Sequence, residues 1–217
     1  MFIDLRDFTA FADVRSARET FCFVSRYTEL ISGIVDDHGG SVVEFNGDGM
    51  MAVFGAPGSL PRKERRAVQA ARRMLREIST LEAEAQATGL SLGVGIATGP
   101  VFVGSIRAVD RWIWSAIGNT TNLASRFQFL SRELDASIVI DEETSRRASI
   151  LVRDFCRLES IAIRGRREPV NVFALPSTPA LARARPGLRD EATDSEAAPG
   201  VALVPWPTDP GPSEAVT

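Results

Sequence analysis

The chain has 217 residues, 44% hydrophobic and 24% charged, with a formal net charge of −3. That balance fits one soluble globular domain, or one domain plus a tail, and it excludes the basic footprint of a general nucleic-acid binder. No apolar run is long enough to span a membrane, the N-terminus lacks signal-peptide order, and Cys22 and Cys156 make neither a metal-spaced pair nor a disulfide framework, so a cytoplasmic, reducing compartment is expected.

The first residues, "MFIDL", read as a strand already under way, so more of that strand is expected upstream. "LRDFTAFADV" then turns into a helix or loop. From Ala17 to His38 the apolar residues Phe21, Val24, Leu30, Ile31, Ile34 and Val35 recur at helical spacing, and Gly39 and Gly40 supply the stop. His38, the sole histidine, reads as part of that C-terminal cap. Val42–Phe45 and Met50–Phe54 are strands joined by "NGDG", a hairpin signal. A long amphipathic helix follows from Arg62 to Ala87, its "RKERR" start reading as a solvated face. Leu90–Ala97 and Val101–Ile106 read as a strand pair around "TGP".

"VDRWIWSAIGN" is an extended stretch leading into a helix over about 120–131. Its tryptophans, Trp112 and Trp114, read as packing residues. Ser137–Ile140 is a strand, Asp141 starts a short helix, and Phe155–Ile163 with Asn171–Leu175 form a closing strand pair. Strands and helices alternate over residues 1–175. This predicts an α+β sandwich of ferredoxin-like type, with helices packed on a mixed or antiparallel sheet. Residues 176–217 are rich in Pro, Ala, Gly, Ser and acids, with a lone Trp206, and read as a disordered tail.

Two clusters carry chemistry. Asp4 ends the first strand and Asp48 sits in the hairpin turn. If those strands are neighbours, their carboxylates meet, and hard oxygen ligands with room for water and phosphate suit Mg²⁺ or Mn²⁺. Spacing alone does not separate this from an ordinary hairpin turn. In "GNTTNLASR", Asn122 and Arg126 stand at i and i+4 on one helix face, where an amide and a guanidinium can hold ribose and phosphate oxygens. A merely solvated polar face fits that spacing too.

Five stretches in order decide the matter. "FIDLRDFT", "GGSVVEFNGDGMMAVFG", "LGVGIATGPVFVGSI", "IGNTTNLASR" and "IRGRREPVNVFAL" together resemble the catalytic domain of class III adenylate and guanylate cyclases. The resemblance implies a homodimer with shared active sites. Each site takes its metal aspartates from one subunit and its purine, Asn and Arg contacts from the other. It implies two Mg²⁺ or Mn²⁺ ions per site, held by Asp4, Asp48 and the Ile3 carbonyl. The backbone of Leu5, Arg6, Asp7, Phe8 and Thr9 is expected to cradle phosphates. Asn122 is expected to orient ribose and Arg126 to stabilise the α-phosphate. Arg164 and Arg166 lie near the family's triphosphate-binding position.

The resemblance also explains Glu44. It falls where adenylate cyclases typically carry Lys and guanylate cyclases Glu. Guanine presents N1–H and N2–H₂ donors that one carboxylate accepts together. The second purine position, Ser115, donates or accepts and leaves ATP and GTP both open as substrate. Asp7 replaces the glycine usual in the family's "G-F-T", and Asp tolerates a left-handed backbone better than most residues. The expected function is conversion of ATP or GTP to a 3′,5′-cyclic nucleotide and pyrophosphate. The alternative is a cyclase-derived dimerisation or nucleotide-sensing module without turnover.

Overall fold

The computed structural model describes residues 1–85, 89–108 and 111–177; the expected tail and Trp206 lie outside the described residues. In chain order the elements are β1 (Phe2–Arg6), α1 (Phe8–Asp13), α2 (Ala17–Asp37), β2 (Gly40–Asn46), β3 (Gly49–Phe54), α3 (Lys63–Glu84) and β4 (Ser91–Ile96). β5 (Phe102–Ala108), β6 (Arg111–Ile117), α4 (Asn119–Glu133), β7 (Ala136–Asp141), α5 (Glu142–Ala148), β8 (Cys156–Ile161) and β9 (Val170–Pro176) complete them.

A seven-stranded sheet runs in the order β2-β3-β1-β4-β7-β9-β8. Only β4 and β7 pair in parallel; the other neighbours are antiparallel, so the sheet is mixed as expected. Alternation along β1 sends Ile3 and Leu5 to one face of the sheet and Phe2, Asp4 and Arg6 to the other. Ile3 and Leu5 join Met50, Ala52, Leu92 and Val94 in a core with α2 and α3 residues such as Tyr27, Ile31, Val68 and Met74. The opposite face receives α4, whose Phe127 and Leu130 pack with Val139, Val172 and Ala174. Each large apolar side chain fully buried this way contributes about 1.5–3 kcal/mol.

Helix α2 starts on a capping box, in which the Ser16 hydroxyl accepts from the Glu19 amide and the Glu19 carboxylate accepts from the Ser16 amide. It ends at His38, the C-cap residue, whose Nδ1 lies 2.7 Å from the Ile34 carbonyl oxygen. Helix α4 lies unusually close to β4. A Cβ built on Gly95 would stand 2.1 Å from the Ala124 carbonyl oxygen and 2.4 Å from the Gln128 amide. One built on Gly93 would stand 2.8 Å from Ser131 Oγ. Only glycine lets the helix sit there.

Three expectations are corrected. β4 and β5 do not pair: β4 belongs to the large sheet, while β5 pairs with β6 in a separate two-stranded sheet. The stretch 111–117 is itself a strand, because its alternating pattern is satisfied by β5. The "RKERR" start is not all solvated. Glu64 is buried, with its Oε1 3.4 Å from Arg147 Nη1.

Candidate active site

The register of β1 builds the first half of the site. Ile3 lies opposite Met50 on β3, so Asp4 comes beside Gly49, the first residue after the turn. Asn46 pairs with Gly49, leaving Gly47 and Asp48 as a two-residue loop, and Gly47 takes the positive φ of 65° that this tight turn requires. Two of the expected metal donors therefore lie beside the turn that carries the third, Asp48. A Cβ added to Gly49 would lie 3.5 Å from Asp4 Oδ1 and 3.8 Å from the Ile3 carbonyl oxygen. Glycine keeps open the space that a side chain would fill.

Both carboxyls are half-buried, and burial pushes each above its ordinary value. The Asp48 charge pushes Asp4 further, while Arg132, Arg6 and a hydrogen bond from Gln128 pull it back. Two carboxyls taken partly out of water, one of them also feeling the other's charge, are what a divalent cation relieves. Two aspartates and one carbonyl, with positions left for water and phosphate, are a hard-oxygen set that fits Mg²⁺ or Mn²⁺.

The chain after Asp4 bends as the sequence predicts. Asp7 sits at φ 62°, ψ 18°, left-handed, at the N-cap of α1, and no side chain caps that helix. The backbone from Leu5 to Thr9 thus runs from strand into a first helical turn. The Arg6 side chain points away from it: Nη2 donates to Ser131 Oγ and to the Ala136 carbonyl. Arg6 can offer phosphate only its backbone.

Glu44 reaches this side of the sheet through a β-bulge. Val42 pairs with Ala52, but Glu44 pairs with Met51, so Val43 is an extra residue. Without the bulge, Glu44 would share the face of Val42 and Ala52, against α2 and α3. With it, Glu44 shares the face of Met51, Phe2 and Asp4. Asp4, Glu44, Asn46, Ser125, Gln128 and Phe129 line one cavity of about 160 Å³. β2 also packs beside β6, bringing the strand of Glu44 against the strand of Ser115.

The second half of the site is elsewhere. Asn122 and Arg126 share an exposed face of α4 and line a cavity of about 660 Å³ with Arg164, Arg166, Arg167 and Glu168. Gly165 turns the β8–β9 loop at φ 83° and brings its arginines to the helix. Among the described residues Arg126, Arg164, Arg166 and Arg167 are in no ion pair. Unpaired guanidinium groups gathered on one concave face call for a polyanion. Asp4 does not line this cavity, and Asn122 and Arg126 do not line the other.

Three residues near the site escape the sequence reading. Gln128 donates from Nε2 to Asp4 Oδ2 at 3.1 Å. Arg132 lies 4.0 Å from Asp7 and also acts on Asp4. Arg167 adds a further cation to the larger cavity. The one available signal is Gln128, a polar residue in the buried stripe Ala124, Phe127, Leu130 and Ser131.

The family described as "Adenylate and Guanylate cyclase catalytic domain" matches residues 1–176. Adenylate cyclase 1 of Rhizobium meliloti is 28% identical over 80% of this chain and 26% of its own length. The terminal-differentiation-specific adenylate cyclase of Dictyostelium discoideum is 30% identical over 79% of this chain and 8% of its own. The chain thus spans about a quarter or less of these relatives. Among solved structures, the adenylyl cyclase CyaB from P. aeruginosa has TM-score 0.71 and 27% identity, over 82% of this chain and 92% of that one. The guanylyl cyclase Cya2 has TM-score 0.70 and 27% identity, over 80% of this chain and 88% of that one.

Proposed function

The chain belongs to the adenylate and guanylate cyclase catalytic-domain family, and on that premise we propose that it converts a purine nucleoside triphosphate to its 3′,5′-cyclic nucleotide and pyrophosphate. The single observation that carries this reading is that Asp4 Oδ1 and the Ile3 carbonyl oxygen lie within 4 Å of the Cβ position of Gly49, the residue that follows Asp48 in the hairpin turn.

Asp4, Asp48 and the Ile3 carbonyl would hold two Mg²⁺ or Mn²⁺ ions. Bound there, the ions supply an activated ribose 3′-hydroxyl and charge neutralisation of the triphosphate. The 3′-oxygen bonds to the α-phosphorus, the bond from that phosphorus to pyrophosphate breaks, and the hydroxyl proton is released. The protein contributes position and charge. The backbone of Leu5 to Thr9 cradles the terminal phosphates. Asn122 orients the ribose. Arg126 stabilises charge gathering on the α-phosphate. Arg164 and Arg166 hold the rest of the triphosphate.

These roles require two chains, since the metal half and the Asn–Arg half line separate cavities in one chain. The exposed apolar side chains support a homodimer. Phe102, Ile106, Ile113, Trp114 and Ile117 stand out from the β5–β6 pair, as do Phe45 on β2 and Phe129 on α4. Such a surface fits a permanent interface. Each active site then joins the aspartates and phosphate loop of one chain to the purine, Asn and Arg contacts of the other.

Two observations point to different bases. The Glu44 carboxylate, turned to the Asp4 face by its bulge, matches the donors of guanine. The relatives named adenylate cyclases favour ATP. The test is to supply Mn²⁺ with equal ATP and GTP and identify the cyclic product by mass. A cyclic product establishes the activity and names the base. Nucleotide binding without product, at every protein concentration, would replace this reading with a nucleotide-sensing module.

A further inference from the structure

Helix α4 faces two ways. Asn122 and Arg126 are exposed on one side, and Gln128, two residues past Arg126, is buried on the other. An amide carried into an apolar stripe costs about 1–3 kcal/mol unless it is paired. Packing gives no reason to place one there. Gln128 finds its partner on a different element, donating from Nε2 to Asp4 Oδ2 at 3.1 Å.

That bond makes the two Asp4 oxygens unequal. Oδ2 is held by the helix. Oδ1 lies 3.5 Å, and the Ile3 carbonyl oxygen 3.8 Å, from where a Cβ on Gly49 would stand. A carboxylate torsion is soft, and without a donor on Oδ2 it swings freely. The donor's own position is fixed, because Gly95 sets the Gln128 backbone directly on β4, and Gly93 leaves room for the Ser131 hydroxyl one turn on.

We propose that Gln128 is a positioning residue for the metal edge, holding Asp4 so that Oδ1 is presented to the divalent cation. The proposal rests on the metal reading of Asp4 and Asp48 given above. It requires no second chain, since every group it names lies on one.

The experiment titrates the full chain with Mn²⁺ alone, without nucleotide, and follows free ion by electron paramagnetic resonance. Gln128→Met keeps the length of the side chain and removes the donor. Gln128→Asn keeps the amide and withdraws its reach, and it carries the measurement if the methionine variant does not fold. Both variants are expected to bind Mn²⁺ about tenfold or more weakly, with unchanged circular dichroism. In steady state they raise the KM for metal and leave the KM for nucleotide near its native value. Asp4→Asn serves as the reference for a lost site. Native Mn²⁺ affinity in the folded Gln128 variants, with binding lost in Asp4→Asn, overturns the proposal and leaves the metal reading standing. Native affinity in Asp4→Asn as well overturns both.

Discussion

The two halves of the candidate site are built on opposite plans. The metal edge is assembled from main chain: a strand register, a two-residue turn and glycines that hold space open. Its acids are half-buried, and burial disfavours their charged forms. The Asn–Arg face is assembled from long side chains on an exposed helix and a glycine-turned loop. Its cations are solvated and unpaired. One half spends rigidity to overcome repulsion between like charges, while the other relies on an incoming anion for its order. The proposed reaction would use both, and one chain keeps Asp4 in one cavity and Asn122 and Arg126 in another.

The largest effects should come from deleting one half at a time. Asp48→Ala and Arg126→Ala are each expected to lower turnover about a thousandfold or more. They part company in Mn²⁺ binding, which disappears in the first and stays native in the second. If the sites are shared between chains, an equal mixture of these two inactive variants regains about a quarter of native activity. Half of the dimers formed are mixed, and each mixed dimer holds one intact site of two. No recovery after the subunits exchange would refute shared sites.

A smaller effect tests the support common to both halves. Gly95→Ala forces a methyl into the backbone of α4 and is expected to cost about 3 kcal/mol of stability, read by chemical denaturation. Smaller again is Glu44→Lys, which should shift the ratio of ATP to GTP turnover towards ATP by about tenfold and leave Mn²⁺ binding unchanged.

The smallest is a control outside both halves. Asp141 caps α5, accepting from the amides of Thr144 and Thr98, and burial raises its carboxyl above the ordinary 3.8. The folded state therefore holds that proton at a pH where the unfolded chain has released it. Native stability should fall relative to Asp141→Asn as pH rises from 3.8 through the raised value, then the gap should level. Denaturation across that range checks the sign, and a gap independent of pH would remove Asp141 as its source.

The hairpin turn was the most legible part, and the reason is physical. "NGDG" between two apolar runs announces a tight turn, while the metal role of its acid came only with the resemblance. Asp7 was legible in the same way, as a residue able to replace glycine at positive φ. The bulge at Val43 was not, because one extra residue in a strand leaves no mark on an apolar run. It nevertheless decides which face Glu44 serves. β6 was read only as an extended stretch, since its strand character depends on pairing with β5. The burial of Glu64 depends on Arg147, a residue far along the chain. Gln128 is the same kind of miss: its partner lies across the fold, and only its intrusion into an apolar stripe hinted at it.

The seating of α4 on Gly93 and Gly95 has a mechanical meaning. At Gly95 strand backbone meets helix backbone with no side chain between, so the helix cannot slide, roll or lift there without breaking that packing. The interval between the aspartates and the arginine face inside one chain is then a fixed length, like the arm of a pair of scissors. In a dimer of such arms the adjustable quantity is the angle at which two chains meet. If the proposed dimer forms, that angle sets how closely the two halves of each site approach.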